Sequence, residues 1–281
     1  MEDLIPPSSF RGHPFAVGRT AEIFTWDDGR VLKLYRDWCP PNWVEYELKI
    51  GRIVQDAGLP VPRIGDIVEV DGRRGVIYEH VQGISMLGML RAQPWTVFHV
   101  ARQFAELHAA MRQCVVPDDL PTQRAALERS IRAAPGLTDD LRDAALCALA
   151  AMPEGNQLCH GDFHPDNVMM SARGPIVIDW MTATRGNLLG DVARTLLLLT
   201  SGEPPSPIDR WMVSLLRRQF IAGYLKRYFE LCPRDDAQLA AWRPIIAAAR
   251  LNEKISGEAA HLLATVRAGL NGTRIAADQR R

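Results

Sequence analysis

The sequence predicts an α+β fold in which a strand-rich N-terminal part precedes a mainly helical remainder. Short apolar segments separated by turns fill the chain up to about residue 81, which is typical of antiparallel strands. From Trp95 onward, apolar residues recur instead at helical spacing. Strands come first and helices follow, and 281 residues suffice for one large domain or two smaller ones.

The composition excludes several classes of protein. The chain has 281 residues and a formal net charge of zero, so no long-range basic field supports nucleic-acid binding. Its first ten residues have no apolar core, so we expect no signal peptide, and its longest aliphatic run, residues 196–199, is too short to span a bilayer. Five cysteines without a CxxC pair argue against a disulfide framework or a cysteine zinc site. We therefore expect a cytoplasmic protein with no nucleic-acid or membrane partner.

The predicted N-terminal strands form hairpins. The turn Asp27-Asp28-Gly29 lies between two alternating segments, and an Asp-Gly turn in this position is a strong hairpin signal. The loop at residues 18–21 separates the first two strands. It contains one glycine and no GxGxxG or Walker A pattern, so alone it is weak evidence for phosphate binding. The predicted strands cover residues 15–17, 22–26, 31–35, 64–70 and 75–78.

Lys33 lies in the middle of a predicted strand, between Leu32 and Leu34. Alternation places its side chain on the face opposite the two leucines. For an isolated strand lysine, exposure to solvent is the favoured interpretation. The helix that follows changes this interpretation, because it supplies an acidic partner.

The helix predicted to run from residue 42 to about residue 56 carries two glutamates on different faces. Glu45 belongs to a charged face and pairs with Lys49 at i, i+4 spacing. Glu47 lies on an apolar stripe, which also contains Val44, Gly51 and Val54. A carboxylate on an apolar stripe is costly unless a cation meets it. We therefore expect Lys33 to pair with Glu47 rather than with Glu45.

The stretch of residues 158–180 carries the strongest functional signal, and three polar residues stand out in it: Asp162, Asn167 and Asp179. Short apolar runs on either side of Gly174-Pro175 predict a hairpin with its turn at these two residues. The ends of such a hairpin bring Asn167 and Asp179 together, and their oxygens suit a hard cation such as Mg²⁺. Asp162 remains available to face a hydroxyl group.

An Asp, an Asn five residues later and a further Asp after a hairpin form the pattern of a kinase catalytic loop. Polar residues in turns often cap only local backbone, but the full string HGDFHPDNVM followed by VIDW favours the catalytic interpretation. His-Gly-Asp and Ile-Asp-Trp, together with GLPVP at residues 58–62, resemble the aminoglycoside phosphotransferase family. That family also includes choline, homoserine, fructosamine and thiamine kinase-like enzymes.

The resemblance implies a protein-kinase-like fold with two lobes and the nucleotide in the crevice. Residues 1–81 would form an antiparallel-sheet N-terminal lobe, and residues 82–281 a mainly helical C-terminal lobe. The resemblance implies transfer of the γ-phosphate of ATP or GTP to a hydroxyl group of a small molecule. Asp162 would be the catalytic base, Asn167 and Asp179 would hold Mg²⁺, and His160 would support the loop.

The resemblance also implies how the nucleotide is held. Lys33, paired with Glu47, would orient the phosphates. The carbonyl of Glu79 and the amide of Val81 would bind the adenine edge at the hinge between lobes. The backbone N–H groups of the N-terminal loop would cover the phosphates, and this loop comprises Gly18, Arg19 and Thr20.

The helical part contains two residues whose roles we expect to be structural. On the helix predicted over residues 95–112, His108 shares an apolar face that includes Trp95 and Phe98, so we expect a buried, hydrogen-bonded histidine. Asp191 is either a helix N-cap or, as the resemblance implies, a brace for the catalytic loop. Further helices are predicted at residues 121–133, 138–151, 209–230 and 236–270.

The acceptor is either an aminoglycoside-type antibiotic or a hydroxylated metabolite. Residues 200–281 contain 13 basic and 8 acidic side chains, which is a poor general environment for a polycation, although Glu253 and Glu258 are local acids. The alternative function is a nucleotide-binding pseudokinase or scaffold. Such a protein would lack a catalytic group, and it is disfavoured because all of the expected residues are present: Lys33, Asp162, Asn167 and Asp179. A protein kinase is disfavoured because no Ala-Pro-Glu follows Asp179.

Overall fold

The computed structural model describes residues 13–27, 29–114, 116–201 and 207–278. These residues form two compact units. The first comprises the described residues of Met1–Ala92 together with Pro165–Met181, and the second comprises those of Gln93–His164 and Thr182–Arg281. Most of the predicted N-terminal tail and Asp28 of the predicted turn lie outside the described residues. The domain division predicted after residue 81 stays a prediction.

A five-stranded antiparallel sheet dominates the first unit, in the order β1-β2-β3-β5-β4. This confirms the antiparallel N-terminal sheet that the sequence predicts. The helix α1, Asn42–Asp56, connects β3 to β4. The strands are β1 (Ala16–Val17), β2 (Ala21–Asp27), β3 (Arg30–Tyr35), β4 (Ile64–Val70) and β5 (Arg73–Glu79).

The two faces of this sheet bury different clusters. Leu32 and Leu34 lie in one apolar cluster with residues of β2, β4 and β5. Tyr35 belongs to a second cluster that contains Val44 of α1. Strand alternation places Lys33 on the same face as Tyr35. The lysine therefore lies on the side of the sheet that α1 covers.

A smaller three-stranded sheet in the first unit carries the predicted metal-binding hairpin. Its order is β6-β8-β9, and the helix α2, Met86–Ala92, follows β6. The strands are β6 (Gly83–Ser85), β8 (Val168–Ser171) and β9 (Gly174–Val177), with β7 (Gln157–Cys159) preceding β8 in the chain and belonging to the second unit.

The predicted position of the hairpin turn at Gly174-Pro175 is wrong. Gly174 and Pro175 are already in β9, paired with Ser171 and Met170, and the turn consists of the two residues between the strands. The Ser171 hydroxyl fixes it by donating to the Gly174 carbonyl at 2.8 Å and accepting from the Arg173 amide at 3.2 Å. Pro175 is tolerated because β9 is an edge strand, where a missing N–H costs little.

The second unit is mainly helical, with a two-stranded antiparallel pair formed by β7 and β10, Thr184–Gly186. The helices α4 and α5 begin at the N-caps Thr122 and Thr138, which accept hydrogen bonds from the amides of Ala125 and Leu141. No helix among the described residues is long and apolar enough to cross a membrane. The helices are α3 (Val97–Ala110), α4 (Gln123–Ala133), α5 (Asp139–Ala151), α6 (Leu188–Thr200), α7 (Pro207–Leu231), α8 (Asp236–Arg250) and α9 (Ala259–Asp278).

Two helix predictions in this unit require correction. The single helix predicted over residues 236–270 is two helices, because the chain leaves α8 through a short 3₁₀ helix and Lys254 adopts the left-handed conformation with φ of 55°. Trp95 and Phe98 do not belong to a buried face, since their exposed fractions are 74% and 62%. Trp95 lies in a 3₁₀ turn before α3, and Gly223 of α7 offers no side chain to cover Phe98.

The fold predicts opposite effects of one substitution at two glycines. In Gly75→Ala the new methyl group would lie 2.6 Å from the Lys33 carbonyl oxygen, so we expect a loss of about 1–3 kcal/mol in unfolding free energy from overpacking. In Gly88→Ala, on α2, the nearest atom is 3.4 Å away, so we expect a gain of about 0.4–1 kcal/mol. Urea unfolding of both variants measures the difference, and equal effects would contradict the close β3–β5 pairing.

Candidate active site

The first group of candidate residues surrounds the ammonium of Lys33. Its Nζ donates to Glu47 Oε1 at 2.8 Å and to Asp179 Oδ1 at 3.1 Å. The strand β3 supplies the lysine, α1 supplies the glutamate, and the segment after β9 supplies the aspartate. Burial alone would lower the pKa of Lys33, but the two carboxylates outweigh it and hold the pKa above its ordinary value. Lys33 is therefore a permanently charged group fixed between two anions.

The Glu47 carboxylate is bound by a second donor besides Lys33. Its side chain is only 3% exposed, and it accepts a hydrogen bond from the Tyr35 hydroxyl as well as from Lys33. Burial, followed by the charge of Glu47, raises the pKa of Tyr35, so the phenol remains a donor. A buried carboxylate with two donors is satisfied, whereas an unpaired one would destabilise the fold.

Glu45 lies on the other side of α1. It pairs with Arg74, and about half of its side chain is exposed. The prediction that Lys33 pairs with Glu47 rather than with Glu45 is confirmed.

The hairpin ends bring Asn167 and Asp179 near each other. The Ile178 amide donates to the Asn167 carbonyl at 3.0 Å, which extends the pairing of Val168 with Val177 by one residue. Asp179 follows directly, with φ of 62°, a left-handed conformation that is uncommon outside glycine. Such backbone is often retained at functional sites. The turn directs Oδ1 of Asp179 to Lys33, and 48% of the side chain stays exposed.

The donor chemistry at this hairpin fits a magnesium ion. Asn167 and Asp179 offer an amide oxygen and a carboxylate, and Mg²⁺ in nucleotide sites usually takes one or two protein oxygens together with phosphates and water. Among the described residues there is no cluster of three or more His, Cys, Asp or Glu side chains that would hold a metal by themselves. A cation at Asn167 and Asp179 would therefore need oxygen atoms from a bound phosphate.

The N-terminal loop is anchored by its carbonyl groups. The Gly18 amide donates to the Ala21 carbonyl at 2.8 Å. The Arg36 guanidinium donates to the Gly18 carbonyl at 3.2 Å, and the Arg36 amide donates to the Thr20 carbonyl at 3.0 Å. These bonds hold Gly18, Arg19 and Thr20 as a tight connection between β1 and β2.

The predicted hinge residues lie where β5 ends. Glu79 is the last residue of β5, and Val81 lies between β5 and β6. The Glu79 carboxylate binds the Arg63 amide at 3.2 Å and the Arg173 guanidinium at 2.5 Å. Arg173 lies in the turn of the β8–β9 hairpin, so this ion pair connects the end of β5 to that hairpin within the first unit.

The second group of candidate residues belongs to the second unit and is organised around Asp191. This buried carboxylate accepts hydrogen bonds from the amides of His160 at 2.7 Å and Gly161 at 2.8 Å, and lies 3.1 Å from His108 Nε2. The N-cap of α6 is Asn187, not Asp191, so the N-cap interpretation of Asp191 is wrong and the interpretation as a brace is confirmed. Burial raises the pKa of Asp191, but His108, His160 and the Gly161 amide hold it below its ordinary value.

Aromatic packing fixes the same loop from its buried side. Phe163 stacks on Phe104 of α3, with ring centroids 4.2 Å apart. His108 is fully buried, and its Nδ1 lies 2.8 Å from the Tyr224 hydroxyl, which confirms the prediction of a hydrogen-bonded core histidine. The residue before Phe163 is Asp162, so its backbone position is set by buried neighbours.

Asp162 itself is partly exposed, and one guanidinium and two imidazole groups lie around it. Arg194 Nη2 lies 3.4 Å from Asp162 Oδ1, and His164 Nε2 lies 3.6 Å from Oδ2. The Asp162 amide donates to His160 Nδ1 at 3.2 Å. Burial raises the pKa of Asp162, but His164, Arg194 and His160 together lower it to about 2. The carboxylate is therefore ionised throughout the neutral range.

Sequence reasoning missed Arg194. It lies on α6, three residues after Asp191, and residues three apart share a helix face. A basic residue inside the apolar run that follows Asp191 was the available signal. Its guanidinium donates to Asp162 Oδ1 and to Glu253 Oε1, the latter at 2.7 Å, a contact between distant parts of the chain that spacing alone does not reveal.

The model of the phosphotransferase enzyme family matches residues 13–242 of this chain. No curated protein sequence matches it at a significant level.

Three solved structures illustrate the structural similarity. A type VIII aminoglycoside-3'-phosphotransferase is 19% identical and has a TM-score of 0.61, with 85% of this chain and 92% of that chain covered. A thermostable mutant of the aminoglycoside phosphotransferase APH(4)-Ia, in a ternary complex with AMP-PNP and hygromycin B, is 18% identical with a TM-score of 0.63 and coverage of 94% and 92%. A choline/ethanolamine kinase family protein from Mesorhizobium loti is 12% identical with a TM-score of 0.56 and coverage of 95% and 89%. These similarities confirm the predicted protein-kinase-like α+β fold.

The two glutamates of α1 provide a matched test of the Lys33 group. Glu47→Gln removes the charge from a buried ion pair, so we expect it to lower the unfolding free energy by about 3 kcal/mol. Glu45→Gln removes an exposed charge on the same helix, and we expect a change within about 0.5 kcal/mol. Urea unfolding at neutral pH measures both values, and similar losses for the two variants would contradict the assignment of Glu47 as the buried partner.

Proposed function

We propose that this chain, which belongs to the phosphotransferase enzyme family, transfers the γ-phosphate of ATP or GTP to a hydroxyl group of a small molecule. One observation carries the proposal: the Lys33 ammonium contacts Glu47 at 2.8 Å and Asp179 at 3.1 Å. Kinase nucleotide sites use a strand lysine, a helix glutamate and a metal-binding aspartate in this relation. The contact with Asp179 supports a role beyond stabilising the sheet.

In this proposal the first unit binds the nucleotide. Lys33 neutralises phosphate oxygens, and Glu47 keeps it oriented toward them. The Glu79 carbonyl and the Val81 amide receive the edge of the adenine or guanine base. The backbone N–H groups of Arg19 and Thr20 cover the phosphates, since a tight loop of amides is a favourable environment for anions. Gly18, predicted to share this role, instead donates its amide to the Ala21 carbonyl and so holds the loop in shape.

Asn167 and Asp179 would hold Mg²⁺. Their oxygen donors and their position at the two ends of one hairpin support this role. When bound, the ion neutralises charge on the β- and γ-phosphates. Lys33, which contacts Asp179 at 3.1 Å, would donate to phosphate oxygens beside it.

Asp162 would act as the catalytic base, and Asn167 follows it five positions later in the chain. The acceptor oxygen attacks the γ-phosphorus, the bond from phosphorus to the β–γ bridging oxygen breaks, and a nucleoside diphosphate leaves. The hydroxyl proton passes to the Asp162 carboxylate. Because the pKa of Asp162 is held low, at about 2, the carboxylate is a weak base, and its main contribution in this proposal is to orient the hydroxyl. This agrees with the loose transition state of phosphoryl transfer.

A hydroxylated metabolite is the acceptor that the charges favour over a polycationic aminoglycoside. Glu253 and Glu258 are the acids available near Asp162 in the second unit, and both are paired with Arg194 or Arg250. A polycation would have to displace these guanidinium groups, whereas a neutral hydroxyl compound would not. No nucleic-acid or membrane partner is part of the proposal.

We expect Asp162→Asn to lower acceptor-dependent turnover by about 10²- to 10⁴-fold, since the amide cannot accept the hydroxyl proton. Nucleotide binding should stay intact, because Asp162 is not among the proposed nucleotide contacts. The measurement is nucleoside diphosphate release across a panel of hydroxyl compounds, with ATP and GTP as donors and calorimetry for nucleotide binding.

The matched control is Asp118→Asn, which removes an exposed carboxylate from the same unit and should leave turnover unchanged. Nucleotide binding without turnover for any acceptor in the wild-type protein would favour a nucleotide-binding scaffold and contradict the enzyme proposal. Full activity of Asp162→Asn would contradict its role as the base.

Metal dependence gives a second test of the proposed site. Chelation should abolish turnover, and Asp179→Asn should raise the magnesium concentration needed for half-maximal activity by about tenfold or more, since it weakens an ionic oxygen ligand. The control is Asp66→Asn, an exposed aspartate of the same unit. Unchanged magnesium dependence of Asp179→Asn would contradict its assignment as a ligand.

A further inference from the structure

We propose that Arg194 is a positioning residue for Asp162, held in place by a chain of ion pairs that ends at Glu258. The inference rests on the proposed function, in which Asp162 faces the acceptor hydroxyl. It adds a residue outside the catalytic-loop motif. All of the groups involved belong to the second unit.

Arg194 grips the catalytic loop at two successive residues. Its Nε donates to the Gly161 carbonyl at 3.0 Å, and its Nη2 donates to Asp162 Oδ1 at 3.4 Å. The side chain is only 13% exposed. Because the guanidinium is planar and rigid, fixing Nε on the backbone also fixes where Nη2 meets the carboxylate.

The nitrogen of Arg194 that contacts Asp162 is also anchored by Glu253. Arg194 Nη2 lies 2.7 Å from Glu253 Oε1, and the second oxygen of Glu253 pairs with Arg250. Arg250 in turn holds both oxygens of Glu258, at 2.9 Å and 3.2 Å. Arg250 is 10% exposed and Glu258 16% exposed, so the network is mostly shielded from solvent. Paired charges shielded in this way hold their geometry better than surface ion pairs.

This network restrains the orientation of the Asp162 carboxylate. The carboxylate is 30% exposed, and hydration would let it rotate away from a bound hydroxyl. Arg194 restrains Oδ1, so the side-chain torsion of Asp162 is fixed before the acceptor binds. Fixing a reacting group in advance lowers the activation barrier of the chemical step. The charged or titratable groups around Asp162 in this unit are His160 and His164 of its own loop, Arg194 of α6, Arg250 of α8 and Glu253 after α8.

A purely structural role for Arg194 gives a different expectation. If Arg194 only ties α6 to Glu253, its removal lowers stability but leaves the titration of Asp162 unchanged. If Arg194 acts on Asp162, its removal takes away a cation that favours the carboxylate, while burial continues to favour the acid. The pKa of Asp162 must then rise. The two roles are separated by the titration of one side chain.

The experiment compares Arg194→Met, Arg194→Lys and a control, Arg227→Met, which removes a guanidinium that bridges Glu106 and Glu230 in the same unit. The Asp162 carboxyl carbon is followed by NMR from about pH 7 to about pH 2.5 and assigned with Asp162→Asn. In the wild type, the control and Arg194→Lys we expect the carboxylate to titrate only at the acid end of this range, and in Arg194→Met we expect a midpoint higher by on the order of one pH unit.

Turnover is measured in parallel. We expect Arg194→Met to lower kcat by about 10- to 100-fold with little change in the KM for nucleotide, since misplacing a catalytic group acts on the chemical step. Arg194→Lys keeps the charge without the planar fork, so its kcat should lie between those of wild type and Arg194→Met. If Arg194→Met does not fold, this kcat loss in Arg194→Lys carries the test.

An unchanged Asp162 titration in folded Arg194→Met, or wild-type kcat in both Arg194 variants, would overturn the inference. The NMR titration needs no acceptor and no turnover, so it reports on Arg194 even if the proposed function is wrong. Absence of turnover in the wild type, by contrast, would count against the proposed function alone.

Discussion

The buried ammonium of Lys33 is the interaction on which the rest of the first unit depends. It carries a full charge on a sheet face covered by α1, and two carboxylates keep it charged there. Glu47 is fixed further by the Tyr35 hydroxyl, so the helix, the central strand and the hairpin bearing Asp179 meet at one cation. A phosphate group that approaches Lys33 finds a donor already oriented, which is how preorganised charge stabilises a developing anion.

In the second unit the central buried group is an anion, Asp191, rather than a cation. Buried Asp191 accepts hydrogen bonds from the successive backbone amides of His160 and Gly161, in the loop that carries Asp162, and lies beside His108. Arg194, on the same helix, donates hydrogen bonds to the Gly161 carbonyl and to the Asp162 carboxylate of that loop. The helix α6 therefore presents an anion to the amides and a cation to the carboxylate of Asp162. The aromatic residue of this loop, Phe163, is buried and stacks on Phe104.

The sequence was sufficient where a rule of local spacing applies. Strand alternation and helical periodicity predicted the contact of Lys33 with Glu47, and the apolar runs around Asn167 and Asp179 predicted the hairpin, although its turn was placed two residues late. The roles of these residues stay predictions. The network from Arg194 to Glu258 was not predictable, because it joins side chains about sixty residues apart through packing of α6 and α8. Long-range ion pairs leave no periodic signal in a single sequence.

The central claim is that the shared ammonium of Lys33 is where nucleotide phosphates bind. Nitrogen NMR of lysine side chains, with Lys33→Arg to assign the resonance, tests this claim most directly when magnesium and a non-hydrolysable ATP analogue are added. The account predicts that the Lys33 resonance shifts on nucleotide addition and that Asp179→Asn weakens the magnesium dependence of that shift. A nucleotide that binds, by calorimetry, without moving the Lys33 resonance would contradict it.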